Sequence, residues 1–160
     1  MAGSTTKKAV IRRYDRESLS GYVNPASFLQ PEGVELLSAE GNVSRVPYQE
    51  IKSISFVRDF EGAGAPERQV FNTRPKREGL WVSLQLRDGE VMEGVMPNNL
   101  LQLEHYGFTV IPPDAFSNTQ RVFVPRSGLR SVQVLGVIGS PLKRRQPKPA
   151  PKEQIGLFED

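Results

Sequence analysis

The sequence predicts an all-β chain, organised as two small five-stranded barrels in tandem and followed by a disordered, basic, Pro-rich C-terminal tail. Three observations predict it. Short runs alternate between apolar and polar residues and are bounded by Gly, Pro, Asn or Asp. One order of features occurs twice. The composition shifts sharply near residue 140. A chain of 160 residues has room for one ordinary domain or two very small ones, with a real core in either case.

Residues 1–9 read as a flexible N-terminus, residues 10–57 as the first barrel and residues 80–139 as the second. Each copy opens on an alternating strand and passes a charged turn, Asp15-Arg16-Glu17 or Arg87-Asp88-Gly89-Glu90. It then enters a second strand holding one glycine, Gly21 or Gly94, which lets a short strand bend as a closed sheet requires. Asn24-Pro25 follows in the first copy and Pro97-Asn98 in the second. A further glycine, Gly33 or Gly107, opens a third strand, VELLS or FTVIP. The closing signature pairs Val46-Pro47, Ile51 and Ile54 with Val124-Pro125, Leu129 and Val132. Proline cannot donate to a ladder, so Pro47 and Pro125 mark a break between a fourth and a fifth strand, with Tyr48-Gln49-Glu50 or Arg126-Ser127-Gly128 as a single tight turn. The copies are offset by 73 residues at Gly21 and Gly94 and by 78 at Val46 and Val124, because the second has a longer loop, IPPDAFSNTQR, before its fourth strand.

This pattern resembles the Sm-like fold, and SH3-like barrels share its profile. RDGEVMEGVMPNNLLQLE is similar to the first Sm motif and VFVPRSGLRSVQVL to the second; the likeness covers about two thirds of the chain. The resemblance implies the architecture. It implies no binding residues, because VPRSGLRSV lacks the Arg-Gly step of RNA-contacting Sm proteins. A tandem chain can also pair its two barrels with each other.

Residues 58–79 connect the copies. The GAGAP core of this segment reads as a flexible tip, with Phe60 and Phe71 as apolar anchors for the barrels on either side. It lacks the Gly-Lys-Ser/Thr ending of a phosphate loop, and no helix follows it.

Enzyme chemistry finds no foothold, and the expectation is a non-enzymatic protein without cofactor or metal. Cysteine is absent, which removes thiol nucleophiles and thiolate metal sites and fits a reducing cytosol. The one histidine, His105, has no serine in a recognisable nucleophile motif. Asp15, Glu17, Asp88 and Glu90 sit in hairpin turns where solvation explains them. No apolar run approaches the ~20 residues that span a bilayer, and no signal-like segment opens the chain, so a cytoplasmic protein is expected.

Net charge is +3, and Lys143, Arg144, Arg145, Lys148 and Lys152 carry it in the tail. Within the body, Arg121, Arg126 and Arg130 cluster around the last turn of the second copy, and Arg74, Lys76 and Arg77 precede Trp81. These form either a phosphate-binding face beside Trp81 and Phe123 or solvated hairpins. Arg126, Arg130, Lys143, Arg144, Arg145 and Lys148 are the candidate nucleic-acid contacts.

Residues 140–153, SPLKRRQPKPAPKE, have no hydrophobic period and read as an extended, self-repelling linker. Residues 154–160 then place Ile, Leu and Phe on it. QIGLF resembles the peptide by which bacterial proteins are recruited to the DNA replication sliding clamp: Gln154, Ile155, Leu157 and Phe158 match, with Gly156 at the variable position. Average composition produces that order about once in twenty thousand positions. The resemblance implies an adaptor whose partner is the clamp. Two alternatives stand beside it. The barrels and tail bind RNA or single-stranded DNA, or the chain is a protein-interaction module of signalling or assembly type. In that last case Ile155, Leu157 and Phe158 form an extra strand on a barrel edge.

Overall fold

A computed structural model describes residues 6–15, 17–63 and 67–139. All its regular structure is strand and single 3-10 turns. The first copy supplies β1 (Lys7–Arg13), β2 (Leu19–Val23), β3 (Leu29–Gln30), β4 (Gly33–Leu37), β5 (Val43–Val46) and β6 (Ile51–Val57). The second supplies β7 (Gly79–Leu86), β8 (Val91–Met96), β9 (Gly107–Val110), β10 (Thr119–Pro125) and β11 (Leu129–Ile138). The first strand therefore starts at Lys7, three residues before the boundary read from the sequence. Among the described residues no helix is long and apolar enough to cross a membrane.

The order of pairing is the same in both copies. In the first, β6 pairs β1, β1 pairs β2, β2 meets β4 at Tyr22 and Leu37, and β4 pairs β5, all antiparallel. In the second, β11 pairs β7, β7 pairs β8, β8 meets β9's end through a Val95–Ile111 bridge, and β9 pairs β10. The two tight turns also coincide. Pro47 (φ −63°, ψ 144°) precedes the 3-10 turn Tyr48–Glu50, and Pro125 (φ −66°, ψ 148°) precedes Arg126–Gly128. The ring fixes φ and the missing N–H ends the ladder, so one Val-Pro step yields one break in each copy.

Gly21 and Gly94 sit where the second strand of each copy passes closest to the third. A Cβ on Gly21 would lie 2.7 Å from the Leu37 carbonyl oxygen, and one on Gly94 would lie 2.5 Å from the Val110 side chain. After these strands an asparagine side chain turns the chain in both copies. Asn24 Oδ1 accepts from the Ala26 N–H (2.9 Å) and Asn99 Oδ1 from the Leu101 N–H (3.0 Å), so the partner of Asn24 is Asn99, one place beyond the Asn98 of the sequence comparison.

Strand pairing gives one 8-stranded sheet that runs through both copies, in the order β3-β4-β2-β1-β6-β10-β9 with β5 on β4, and a 3-stranded sheet β11-β7-β8, rather than two separately closed barrels. The buried side chains form two clusters. Ala9, Ile11, Val23, Phe28, Val34 and Ile54 are among the residues of the first, and Val82, Leu84, Leu86, Met92, Val110 and Val124 among those of the second. The two are joined through β10, which pairs with β6 across the copies. Because side chains alternate along a strand, β10 sends Val122 and Val124 into the second core and Phe123 into the first. Phe123 meets Phe28 edge-on at 5.9 Å. It is core, and it cannot belong to a ligand face.

Polar contacts reinforce the seam. Tyr48 and Tyr106 stack at 5.0 Å, Ser127 Oγ donates to the Tyr48 carbonyl, and Tyr14 Oη donates to the Gly128 carbonyl. Lys52 on β6 reaches the hairpin of the other copy, bonding Asp88 at 2.8 Å and also Glu90. Asp88 and Glu90 thus sit on a solvated hairpin, as the sequence suggests, and are ion-pair partners as well. Burial pushes the Lys52 ammonium down, but its hydrogen bonds and charge interactions with Asp88 and Glu90 outweigh that and leave it raised. The Lys52 hydrogen bond, first among its causes, lowers Asp88.

Candidate functional site

A concavity of about 590 Å³ lies between the copies. Lys7 of β1, Arg58 after β6, Arg77 before β7 and Arg121 of β10 contribute cations, Phe28 and Phe56 reach it from the first core, and Phe116 stands at its lip. Phe116 is 87 % exposed, an unusual cost for an aromatic side chain on a soluble surface. Glu104 is the one acid in the lining, and its Oε1 already accepts from Thr109 Oγ1 at 2.8 Å. Arg58 Nε donates to the Ser117 carbonyl at 2.8 Å. Lys7, Arg77 and Arg121 are exposed and make no ion pair with any described residue. A second hollow of about 450 Å³ continues past Phe116 and shares Arg77 with the first, adding Arg68, Arg74 and Lys76.

The lip is braced from below. Arg68 binds Asp114 through its backbone N–H (2.9 Å), Nε (3.1 Å) and a terminal nitrogen (2.7 Å). That hydrogen bonding is what chiefly lowers the Asp114 carboxyl. Glu67 Oε2 accepts from Ser117 Oγ and from the N–H groups of Asn118 and Thr119. Phe116 is thereby presented on a loop fastened at both ends. Chemically the cleft offers positive charge without matching counter-charge beside an aromatic surface, which suits a ligand with several anionic groups and a flat or apolar part.

The cations that the sequence groups around the last turn are dispersed in space. Arg121 lines the cleft. Arg126 does not: its Nε donates to the His105 carbonyl (3.0 Å) and its guanidinium lies 4.9 Å from the Phe108 ring centre. Arg130 donates to the Arg87 carbonyl at 2.6 Å. The run before Trp81 stays together: Arg74, Lys76 and Arg77 all line the second hollow, and Arg74 also donates to the Val137 carbonyl at 3.1 Å. Trp81 spends its N–H on Glu93 and packs edge-on against Phe71, and Phe60 packs likewise on Tyr22. Lys7, Arg58 and Phe116 were not singled out by sequence reasoning. Arg77 and Arg121, by contrast, stand among the cations read there as a possible phosphate-binding face, and both line the cleft.

His105 lies edge-on to Tyr106 on the surface. Among the described residues no three His, Cys, Asp or Glu side chains gather closely enough to hold a metal. Gln154, Ile155, Leu157, Phe158, Lys143, Arg144, Arg145 and Lys148 all lie outside the described residues, as do residues 64–66 of the GAGAP segment.

A model of a family of unknown function (DUF6982) matches residues 5–136, a stretch that covers both copies and most of β11. No curated protein and no solved structure matches the chain.

Proposed function

The chain belongs to DUF6982, a family of unknown function, by a match over residues 5–136, and from its own residues we propose a non-enzymatic cytoplasmic adaptor. Its body is a pair of five-stranded Sm-like or SH3-like barrels, a reading supported by the parallel pairing order within residues 7–57 and 79–138 and by two clusters of buried side chains. Its residues Gln154, Ile155, Leu157 and Phe158 engage the DNA sliding clamp. One observation carries the proposal: the order Gln-Ile-Gly-Leu-Phe directly after a Pro- and Lys-rich stretch. The family match stops at residue 136, before the peptide begins.

In such a complex Leu157 and Phe158 fill an apolar pocket and Gln154 hydrogen-bonds at its edge, so two or three anchors supply most of the energy. Micromolar affinity is expected, because binding a single extended peptide costs chain entropy. The test is titration of the full chain into the clamp of its source organism, beside a Leu157→Ala/Phe158→Ala variant. Saturable binding that weakens by roughly 2–4 kcal/mol supports the reading. No saturable binding, or equal binding by the variant, refutes it.

A second reading, binding of RNA or single-stranded DNA, is favoured by the cleft cations Lys7, Arg77 and Arg121 beside Phe116. Titration with single-stranded RNA and DNA at two salt concentrations checks it. For each phosphate that Arg77→Ala or Arg121→Ala leaves without its cation, the salt slope falls by about 0.7. The same measurement on variants at Lys143, Arg144, Arg145 and Lys148 decides whether those residues contribute.

A further inference from the structure

Among the described residues three large apolar side chains are more exposed than any other: Leu101 at 94 %, Phe116 at 87 % and Leu100 at 77 %. They stand on two loops at opposite ends of one short strand. Leu100 and Leu101 precede β9 and Phe116 follows it, and the four residues of that strand span about 13 Å. Both loops border the cationic cleft, the first at Glu104 and the second at Ala115 and Phe116. Arg121, on the neighbouring strand β10, lines the cleft and also a hollow beside Leu103, so a cation sits between the two apolar tips.

Neither tip is a loose end. Asn99 Oδ1 accepts from the Leu101 N–H at 3.0 Å, and the chain makes a 3-10 turn over Leu100–Gln102. Thr109 Oγ1 donates to Glu104 at 2.8 Å and ties the same loop back onto β9. The Phe116 loop is fastened by Arg68 on Asp114 and by Glu67 on Ser117. Apolar groups held out into water on a fixed backbone mark a surface that something receives.

We propose that this face docks on a lipid bilayer carrying anionic headgroups: Leu100, Leu101 and Phe116 enter the boundary between headgroups and acyl chains, and Lys7, Arg77 and Arg121 meet the headgroup phosphates. The chemistry selects this partner over two others. A single-stranded nucleic acid stacks its bases on aromatic rings, but two adjacent leucines offer a base no π face. A protein pocket takes up anchors that cluster together, whereas these stand apart on two projecting tips, and a fluid acyl layer accepts them at any spacing. The charge agrees. Asp114 is held by Arg68 and Glu104 by Thr109, while Lys7, Arg77 and Arg121 have no ion-pair partner among the described residues. Anionic lipid supplies the missing counter-charge. Shallow apolar insertion and charge attraction are each weak alone and act together, so the contact is reversible and lies on the bilayer rather than across it. The surface uses no residue of the 154–158 peptide, and it stands or falls independently of the clamp.

The experiment is flotation of the full chain with vesicles of phosphatidylcholine alone and of phosphatidylcholine containing about 30 % phosphatidylglycerol. The expected result is binding to the anionic vesicles and none to the neutral ones. Leu100→Ser with Leu101→Ser, and Phe116→Ser alone, each lower the partition by roughly tenfold or more, and Arg77→Glu with Arg121→Glu does the same. Unchanged melting curves confirm that these surface variants fold. A full chain that stays off the anionic vesicles overturns the proposal. So does binding indifferent to the loop variants, which assigns the attraction to Lys143, Arg144, Arg145 and Lys148. The two-leucine variant is also titrated with single-stranded RNA. RNA binding that falls in step with vesicle binding overturns the proposal and assigns the tips to nucleic acid.

Discussion

Phe123 of β10 stands directly opposite Ile54 of β6, and both side chains are wholly buried in the core of the first copy. A residue of the second copy thus completes the core of the first. The two halves share a strand pairing and a packed side chain, so they are expected to unfold together rather than in sequence.

Phe123→Ala tests that coupling. Removing a fully buried ring from a core that cannot collapse around the gap costs about 3–5 kcal/mol. The expected outcome in denaturant is a single, shifted transition by both far-ultraviolet circular dichroism and Trp81 fluorescence, the sole tryptophan reporting from the second copy. Two separated transitions in the native protein would show that the halves are independent.

The glycines at the close crossings give equal and parallel effects. A Cβ at Gly21 meets the Leu37 carbonyl and the Leu36 side chain, and one at Gly94 meets the Val110 side chain and the Ile111 carbonyl. Gly21→Ala and Gly94→Ala should each destabilise by about 1–3 kcal/mol, the usual cost of overpacking. Thermal melts decide it, and a neutral outcome at either site contradicts the close approach.

Lys52 and Asp88 make stability depend on acid. The folded protein holds Asp88 below its ordinary value of 3.8, so the stabilisation is fully present above that pH and is lost as pH falls through the lowered value. Lys52 is raised above 10.5, so its share is present below that pH and lost as pH rises past it. Lys52→Met should flatten the decline in melting temperature between about pH 5 and pH 2. At neutral pH it should cost no more than about 1 kcal/mol, since the cluster is partly open to water.

Tyr48 governs the alkaline side. Burial, followed by the neighbouring Tyr106 and Glu32, pushes its phenol from 10.0 up to about 12, and its hydroxyl donates to the Gln30 carbonyl at 2.6 Å. The raised value favours the neutral form in the folded state, so this stabilisation is complete below pH 10 and disappears as pH rises towards 12. In an ultraviolet titration, Tyr48→Phe should remove the ionisation near 12. Disappearance of a lower step instead would refute the assignment.

Much of the fold was legible in local chemistry. Pro47 and Pro125 announce their breaks because a proline acts on its own residue and the one before it. The glycines, the alternating strands and the order of features likewise depend on near neighbours. The candidate cleft was legible only in two of its cations, Arg77 and Arg121. Lys7, Arg58, Arg77 and Arg121 come from four distant points of the chain, and Arg126 and Arg130, close to Arg121 in sequence, turn to backbone carbonyls elsewhere.

Local sequence was enough for the all-β class and for the Val-Pro turns, because alternation and proline act on near neighbours. Only the tertiary structure decided that β10 pairs with β6, that Phe123 belongs to the core of the other copy, and that Asp88 and Glu90 hold Lys52. Periodicity states that a strand has two faces and two edges, but every exposed edge offers the same row of N–H and C=O groups. Which edges meet is settled by side-chain fit and charge between residues far apart in the chain, and no short stretch of sequence contains both sides of that contact.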